Sequence, residues 1–280
     1  MMNDSNHDDH DNSSGTSVDS RRVAASNPAW QALRNAASAP YRSAGRFAWR
    51  FAYGKLGLDP VFRHLLSGGL IAPGAHVLDI GCGQGLLASL LRTADAVAAR
   101  GDWPADWAAA PRGTRVTGIE LMPRDVGRAT QALGDAATFL CGDMRTTPFP
   151  PSDVVVILDV LHYIDLAEQN RVLERVRAAL RPHGRLLLRI GDASSRRGFR
   201  NSQWVDAIVT FVRGHRVPPV FGRPLAAWTI KLEALGFHVQ AVPMSQGTPF
   251  ANVLLVAEPA HVAQRADAAP RTAALAAEAA

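Results

Sequence analysis

The stretch "HVLDIGCGQGLLASLL", residues 76–91, carries an apolar run through glycines 81, 83 and 85 into a second apolar run. This pattern predicts a strand–turn–helix unit over residues 76–93. Glycines at alternate positions let a backbone turn left-handed or approach another group closely. The spacing is G-x-G-x-G, whereas a dinucleotide fingerprint would place its third glycine where Leu86 stands. No G-K-[ST] follows, which excludes a P-loop. Asp79, just before the first glycine, would repel a pyrophosphate and suit a ligand with a positive amino group.

Outward from this unit the pattern alternates. "TRVTGIEL" reads as a second strand, "PRDVGRATQAL" as a helix and "ATFLCGDM" as a third strand. "SDVVVILDV" is a fourth, its unbroken apolar run marking burial on both faces. "LAEQNRVLERVRAALRP" is an amphipathic helix ended by Pro182 and the glycine of "PHGR", and "GRLLLRIGD" is the next strand. The succession predicts a mostly parallel sheet with helices on both sides. "GFHVQAVPM" and "PFANVLLVAEP" add an antiparallel closing pair, while "ADAVAARGDWPADWAAAPRG" reads as a surface insertion. Ahead of the domain, "PAWQALRNAA" and "YRSAGRFAWRFAYGKLGLDPVFRHLL" read as helices. The second places Arg42, Arg46 and Arg50 on one face, amid Phe47, Trp49, Phe51 and Tyr53. The chain thus divides into a disordered acidic tail (1–25), capping helices (26–70), an α/β domain (71–260) and an alanine-rich tail (261–280). A lid-like insertion is expected at about 193–228.

Glu120 ends the second strand and Asp143 the third, so three successive strands bring acids to the glycine turn. S-adenosylmethionine suits this set. Its ammonium needs an acid, its carboxylate can meet N–H groups at a helix start, and its sulfonium needs no phosphate cradle. Glu120 can accept hydrogen bonds from both ribose hydroxyls, and Asp143 one from the adenine amine.

On these residues the chain resembles the class I S-adenosylmethionine-dependent methyltransferases. "VLDIGCGQG" is similar to their first motif, "GIEL" to the second, "GDM" to the third and "DVVVILDVLHYID" to the fourth. The resemblance covers residues 62–190 strongly and the final strand pair more loosely. It implies an α/β, Rossmann-like seven-stranded sheet in the order 3-2-1-4-5-7-6, with the last strand antiparallel. It also implies cofactor contacts from Asp79, Gly81, Cys82, Gly83, Gly85, Glu120, Leu121, Asp143, Met144 and Asp159. "GKLGLDPVFRHLL" and "GTPFANVLLVA" are similar to methyltransferases encoded with aryl-polyene or xanthomonadin-type pigment pathways. That likeness implies an aromatic or polyketide intermediate as acceptor, presented by an acyl carrier protein.

Methyl transfer is an in-line displacement that needs alignment, exclusion of water and, for weak nucleophiles, removal of a proton. Asp159, His162 and Tyr163 end the fourth strand and are the catalytic candidates. His162 is the best base by intrinsic pKa, although a histidine there can also serve packing alone; Tyr163 would shape the pocket. Asp159 and Asp192 end adjacent strands, but "GDAS" lacks the aspartate–asparagine pair of catechol-type enzymes, so no metal is expected. "LDVLHY" stands where nucleic-acid amino-methylating enzymes carry N/D-P-P-Y/F, and no RNA- or DNA-binding signature accompanies the domain. A small or carrier-bound acceptor is therefore favoured. An RNA methyltransferase and a non-catalytic, methyltransferase-like binding protein are the alternatives.

The composition, 280 residues with 47% hydrophobic and 20% charged, is that of an ordinary soluble globular protein. The net charge of +5 permits an acidic carrier or a membrane surface against the arginine face, which could equally be only solvated. Cys82 and Cys141 are the only cysteines, which fits a reducing, cytoplasmic setting. The first twenty residues lack the apolar core of a secretory signal, and no run of about 18 apolar residues suggests a transmembrane segment.

Overall fold

The computed structural model describes residues 27–191, 221–246 and 251–260. The expected tails, Asp192 and most of the lid-like insertion lie outside them. Among the described residues one sheet holds β1 (His76–Ile80), β2 (Arg115–Glu120), β3 (Thr138–Cys141), β4 (Ser152–Leu158), β5 (Leu180–Gly191), β6 (Phe237–Pro243) and β7 (Asn252–Pro259). Their order is β3-β2-β1-β4-β5-β7-β6. The first five are mutually parallel, and β7 runs antiparallel to both β5 and β6. This is the order that the motif resemblance implies.

Helices α1 (Pro28–Ser38), α2 (Arg46–Leu58) and α3 (Pro60–Ser67) precede the sheet. Crossover helices α4 (Leu86–Ala99), α5 (Pro123–Leu133) and α6 (Leu166–Ala179) link the parallel strands, and α7 (Leu225–Ala234) leads into β6. The period of two along each strand sends neighbours to opposite faces. Val77, Val154, Val156 and Leu187 join one core with Leu87 and Leu90 of α4 and with Leu33, Leu56 and Leu65 of the cap. Leu78, Val155, Ile157 and Leu188 join the other with Val172 and Val176 of α6 and Trp228 of α7. The capping helices thus share the core of the first sheet face. No helix among the described residues is long and apolar enough to cross a membrane.

Four local readings need correction. The helix expected to carry Arg42, Arg46 and Arg50 on one face is broken. Arg42 ends a 3-10 turn (Ala39–Arg42), and Gly45, at φ 104°, starts α2 afresh. Arg42 instead sets its guanidinium 5.3 Å from the Trp49 ring centre. A second break falls at Asp59, whose carboxylate caps α3 by accepting from the Val61 N–H at 3.1 Å, with Pro60 opening the helix. The segment read as a surface insertion is a clasp. Its first residues extend α4, and Trp107 is buried edge-to-face with Trp103, ring centres 5.4 Å apart, and 6.4 Å from Trp30 of α1. Large aromatic surfaces gain by leaving water, so a tryptophan pair folds back on the cap where a polar loop would not. Finally, Pro182 and the glycine after it lie inside β5, where the ladder shifts register and resumes at Arg185 opposite Val154. Proline has no N–H to offer that ladder.

Candidate cofactor and acceptor site

The glycine turn lies between β1 and α4, and its three glycines are all left-handed: Gly81 at φ 76°, Gly83 at 56° and Gly85 at 75°. The spaces they spare differ. A Cβ on Gly81 would lie 2.5 Å from Val160 Cγ1, and one on Gly85 2.7 Å from Phe139 Cζ. A Cβ on Gly83 would meet nothing within 4 Å. The outer glycines serve close packing, and the middle one faces open space that a ligand can approach.

The turn is pinned from β2. Gly81 and Cys82 donate their N–H groups to the Ile119 carbonyl, at 2.8 and 3.2 Å. Glu120 Oε2 accepts from the Gly83 N–H and Oε1 from the Met122 N–H, each at 2.9 Å. Each carboxylate oxygen has capacity for a second donor. Sequence reasoning passed over Gln84. It is buried, and its Nε2 donates to the Ala48 carbonyl of α2 at 2.8 Å, tying the turn to the cap.

Asp79 occupies the centre. It is buried on β1 between Gly118 of β2 and Val156 of β4, and no hydrogen bond reaches its carboxylate among the described residues. Burial, with the nearby charge of Glu120, pushes its pKa up to about 7. An ammonium group fits this orphaned carboxylate, because opposite charge relieves both causes of the shift.

At the end of β3, Asp143 is gripped by Arg145. The guanidinium Nε donates to both carboxylate oxygens at 2.9 and 3.0 Å, and the Arg145 N–H donates to Oδ1 at 2.8 Å. Arg145 holds this carboxyl below its ordinary pKa. An adenine amine there would share the carboxylate with Arg145. Leu121, beside Glu120, is 58% exposed, an apolar surface next to the ribose-binding candidate. Met144 is half-buried against the second core.

The β4 end is built differently. Asp159 has φ 58°, the one left-handed non-glycine among the described residues, a conformation that costs an L-residue on the order of 1 kcal/mol. Arg189 Nε donates to Asp159 Oδ1 at 2.9 Å, and Nη2 reaches Oδ2. The same guanidinium also binds Asp59, with Nη2 2.7 Å from Oδ2 and Nη1 on Oδ1. Lys55 Nζ completes the group at 2.8 Å from Asp59 and 3.8 Å from Asp159. Burial alone would raise the Asp59 carboxyl, but Arg189 and Lys55 hold it well below the usual carboxylate range.

His162 lies in the 3-10 turn Leu161–Tyr163, with its ring centre 4.1 Å from that of Tyr163. Burial pulls its pKa below the ordinary imidazole value against the opposing charge of Asp159, so the ring is neutral at pH 7. A second unforeseen residue fastens this turn. Gln169 is buried on α6, and its Nε2 donates to the carbonyls of Leu161, Ile164 and Phe221 at 3.1, 3.0 and 2.9 Å. Its Oε1 accepts from Arg223 Nε at 2.8 Å, and the Phe221 N–H donates to the His162 carbonyl at 2.8 Å. A glutamine at an inward position of an amphipathic helix is the signal that could have marked it. Among the described residues no group of three or more His, Cys, Asp or Glu could hold a metal ion.

The glycine turn and acids therefore meet at the carboxyl ends of β1, β2 and β3, while Asp159, His162 and Tyr163 gather after β4. Residues 78–188 match the family described as "Methyltransferase domain". The carboxy-S-adenosyl-L-methionine synthase of Chromohalobacter salexigens is 32% identical over 120 residues, covering 41% of this chain and 39% of that one. A sterol 24-C-methyltransferase of Gibberella zeae is 29% identical over 143 residues, covering 48% and 33%. The chain thus matches well under half the length of these curated relatives. The magnesium protoporphyrin IX methyltransferase of Synechocystis PCC 6803, solved with bound SAH, shares the fold. It aligns with a TM-score of 0.51 at 19% identity, over 87% of this chain and 94% of that one. By its motifs, its strand order and these matches, the chain is similar to the class I S-adenosylmethionine-dependent methyltransferases, and residues 78–188 match a methyltransferase domain.

Proposed function

We propose that this chain binds S-adenosylmethionine at the glycine turn and transfers its methyl group to a small or carrier-bound acceptor at the β4 end. The observation that carries the reading is Asp79: a buried carboxylate without a hydrogen bond among the described residues, beside a left-handed glycine turn and Glu120. Asp79 takes the ammonium, and the N–H groups opening α4 face the carboxylate. The spare lone pairs of Glu120 accept from the ribose hydroxyls. Leu121 and Met144 flank the adenine, and Asp143 accepts from its amine.

The bound cofactor supplies a methyl group already activated on a sulfonium. His162, neutral by burial, is the group that takes a proton from the acceptor nucleophile, with Tyr163 lining the approach. Asp159 is committed to Arg189, which makes it a wall of the site. For the acceptor we favour an aromatic or polyketide-type intermediate on an acidic carrier. Arg46 and Arg50 are exposed on α2 beside Phe47, whose ring stacks on Phe51 at 6.3 Å, a basic and aromatic face suited to such a carrier.

Calorimetry with S-adenosylmethionine and its demethylated product tests the reading. Both should bind, and Glu120→Ala and Asp143→Ala should weaken them. Wild-type protein that binds neither would refute it, and tight, salt-dependent RNA binding would favour an RNA acceptor.

A further inference from the structure

The Asp59–Arg189–Asp159 cluster joins three parts of the chain: the start of α3, the middle of the sheet and the turn after β4. Arg189 keeps 1% of its side chain exposed and divides its guanidinium between the two aspartates. With Lys55 the cluster balances two cations against two anions. Apolar residues of similar volume commonly stabilise a core as well as a buried ionic group does, so stability alone gives no reason for an arginine here.

The backbone gives one. Asp159 is left-handed, and the chain that leaves it lays Val160 directly on Gly81. The Asp159 N–H also points to the Arg189 carbonyl, at 3.4 Å. Arg189 therefore grips, by side chain and backbone, the residue whose conformation sets how the β4 turn meets the glycine turn. Through Asp59 it grips the start of α3 as well, while Gln84 fastens α2 to the same glycine turn.

We propose that Arg189 is a positioning residue for the cofactor turn. Through Asp159 it seats Val160 on Gly81 and keeps the glycine turn in its binding shape. Through Asp59 it makes that shape depend on the docking of the cap. The inference rests on the glycine turn being the S-adenosylmethionine site.

The test uses the full chain, S-adenosylhomocysteine as probe, and two readouts: Kd by calorimetry and melting temperature. Arg189→Met should raise Kd roughly tenfold or more. Adding Asp159→Gly should return Kd to within about threefold of the Asp159→Gly single variant, since glycine adopts a positive φ without an anchor. Melting temperature should stay low in the double variant, because Asp59 still lacks its guanidinium. Arg189→Lys keeps a charge but loses the fork, so it should bind with intermediate Kd and melt near wild type. If Arg189→Met does not fold, Arg189→Lys with and without Asp159→Gly makes the same comparison. Unchanged Kd in the arginine variants, or no rescue by glycine, would overturn the proposal, since a purely structural residue would move melting temperature alone. Wild-type protein that fails to bind the probe would instead overturn the cofactor site itself.

Discussion

Two carboxylates stand at the ends of neighbouring strands and are treated in opposite ways. Asp79 on β1 is buried without a hydrogen bond among the described residues, and its pKa is pushed up to about 7. Asp159, following β4, is matched by the fork of Arg189, which also matches Asp59. A buried charge without a partner is costly, and a protein keeps one where a ligand supplies the partner. A buried charge already paired is architecture. Under the proposed function, the first takes the cofactor's cation and the second forms the wall beside it.

Substitutions should separate the two. The largest effect falls on the paired group. Arg189→Met leaves two acids without their fork and should cost about 3–5 kcal/mol in denaturant unfolding. Asp79→Asn should do the reverse in stability, holding or raising the melting temperature, because a neutral amide carries no charge-burial penalty. The same change should weaken S-adenosylmethionine binding by about a hundredfold, the scale of a lost charge-assisted contact. A stable Asp79→Asn protein with undiminished affinity would end the comparison. Glu120→Ala should weaken binding about tenfold, because it removes ribose acceptors and also the anchor of the Gly83 N–H. Asp143→Ala should have the smallest effect, about threefold by calorimetry, since Arg145 already occupies much of that carboxylate.

The sequence displays the β1 side more openly than the β4 side. Glycines 81, 83 and 85, Asp79, Glu120 and Asp143 are legible because each falls at the end of a short apolar run, where a parallel sheet gathers its functional groups. The strand order follows from the motif resemblance and not from periodicity. The cluster around Arg189 leaves no local trace. Arg189 stands in "LLLRIGD" like any polar strand residue, and its partner Asp59 is 130 positions away in a helix cap. The cap was misread for a related reason. Gly45 interrupts a segment whose aromatic and basic spacing is otherwise helical, and helix spacing does not reveal where one glycine turns the chain. Trp103 and Trp107 show the third limit. Their segment is rich in glycine, proline and alanine, and only contact with Trp30 shows that Trp107 is buried.

The pH dependence of binding probes Asp79 most directly. In the folded chain this group holds its proton up to about pH 7, against an ordinary value of 3.8. The stability it contributes is therefore present below pH 4 and lost as pH rises through about 7. Binding of an ammonium needs the ionised form, so its trend is opposite. Calorimetric titration of the wild type with S-adenosylmethionine at pH 6 and pH 8, in buffers of different ionisation enthalpy, measures both affinity and proton exchange. Tighter binding at pH 8, with a proton released on binding near pH 6 and both effects absent in Asp79→Asn, is the predicted result. Absence of binding, or affinity and proton exchange that do not change with pH or with Asp79→Asn, would contradict it.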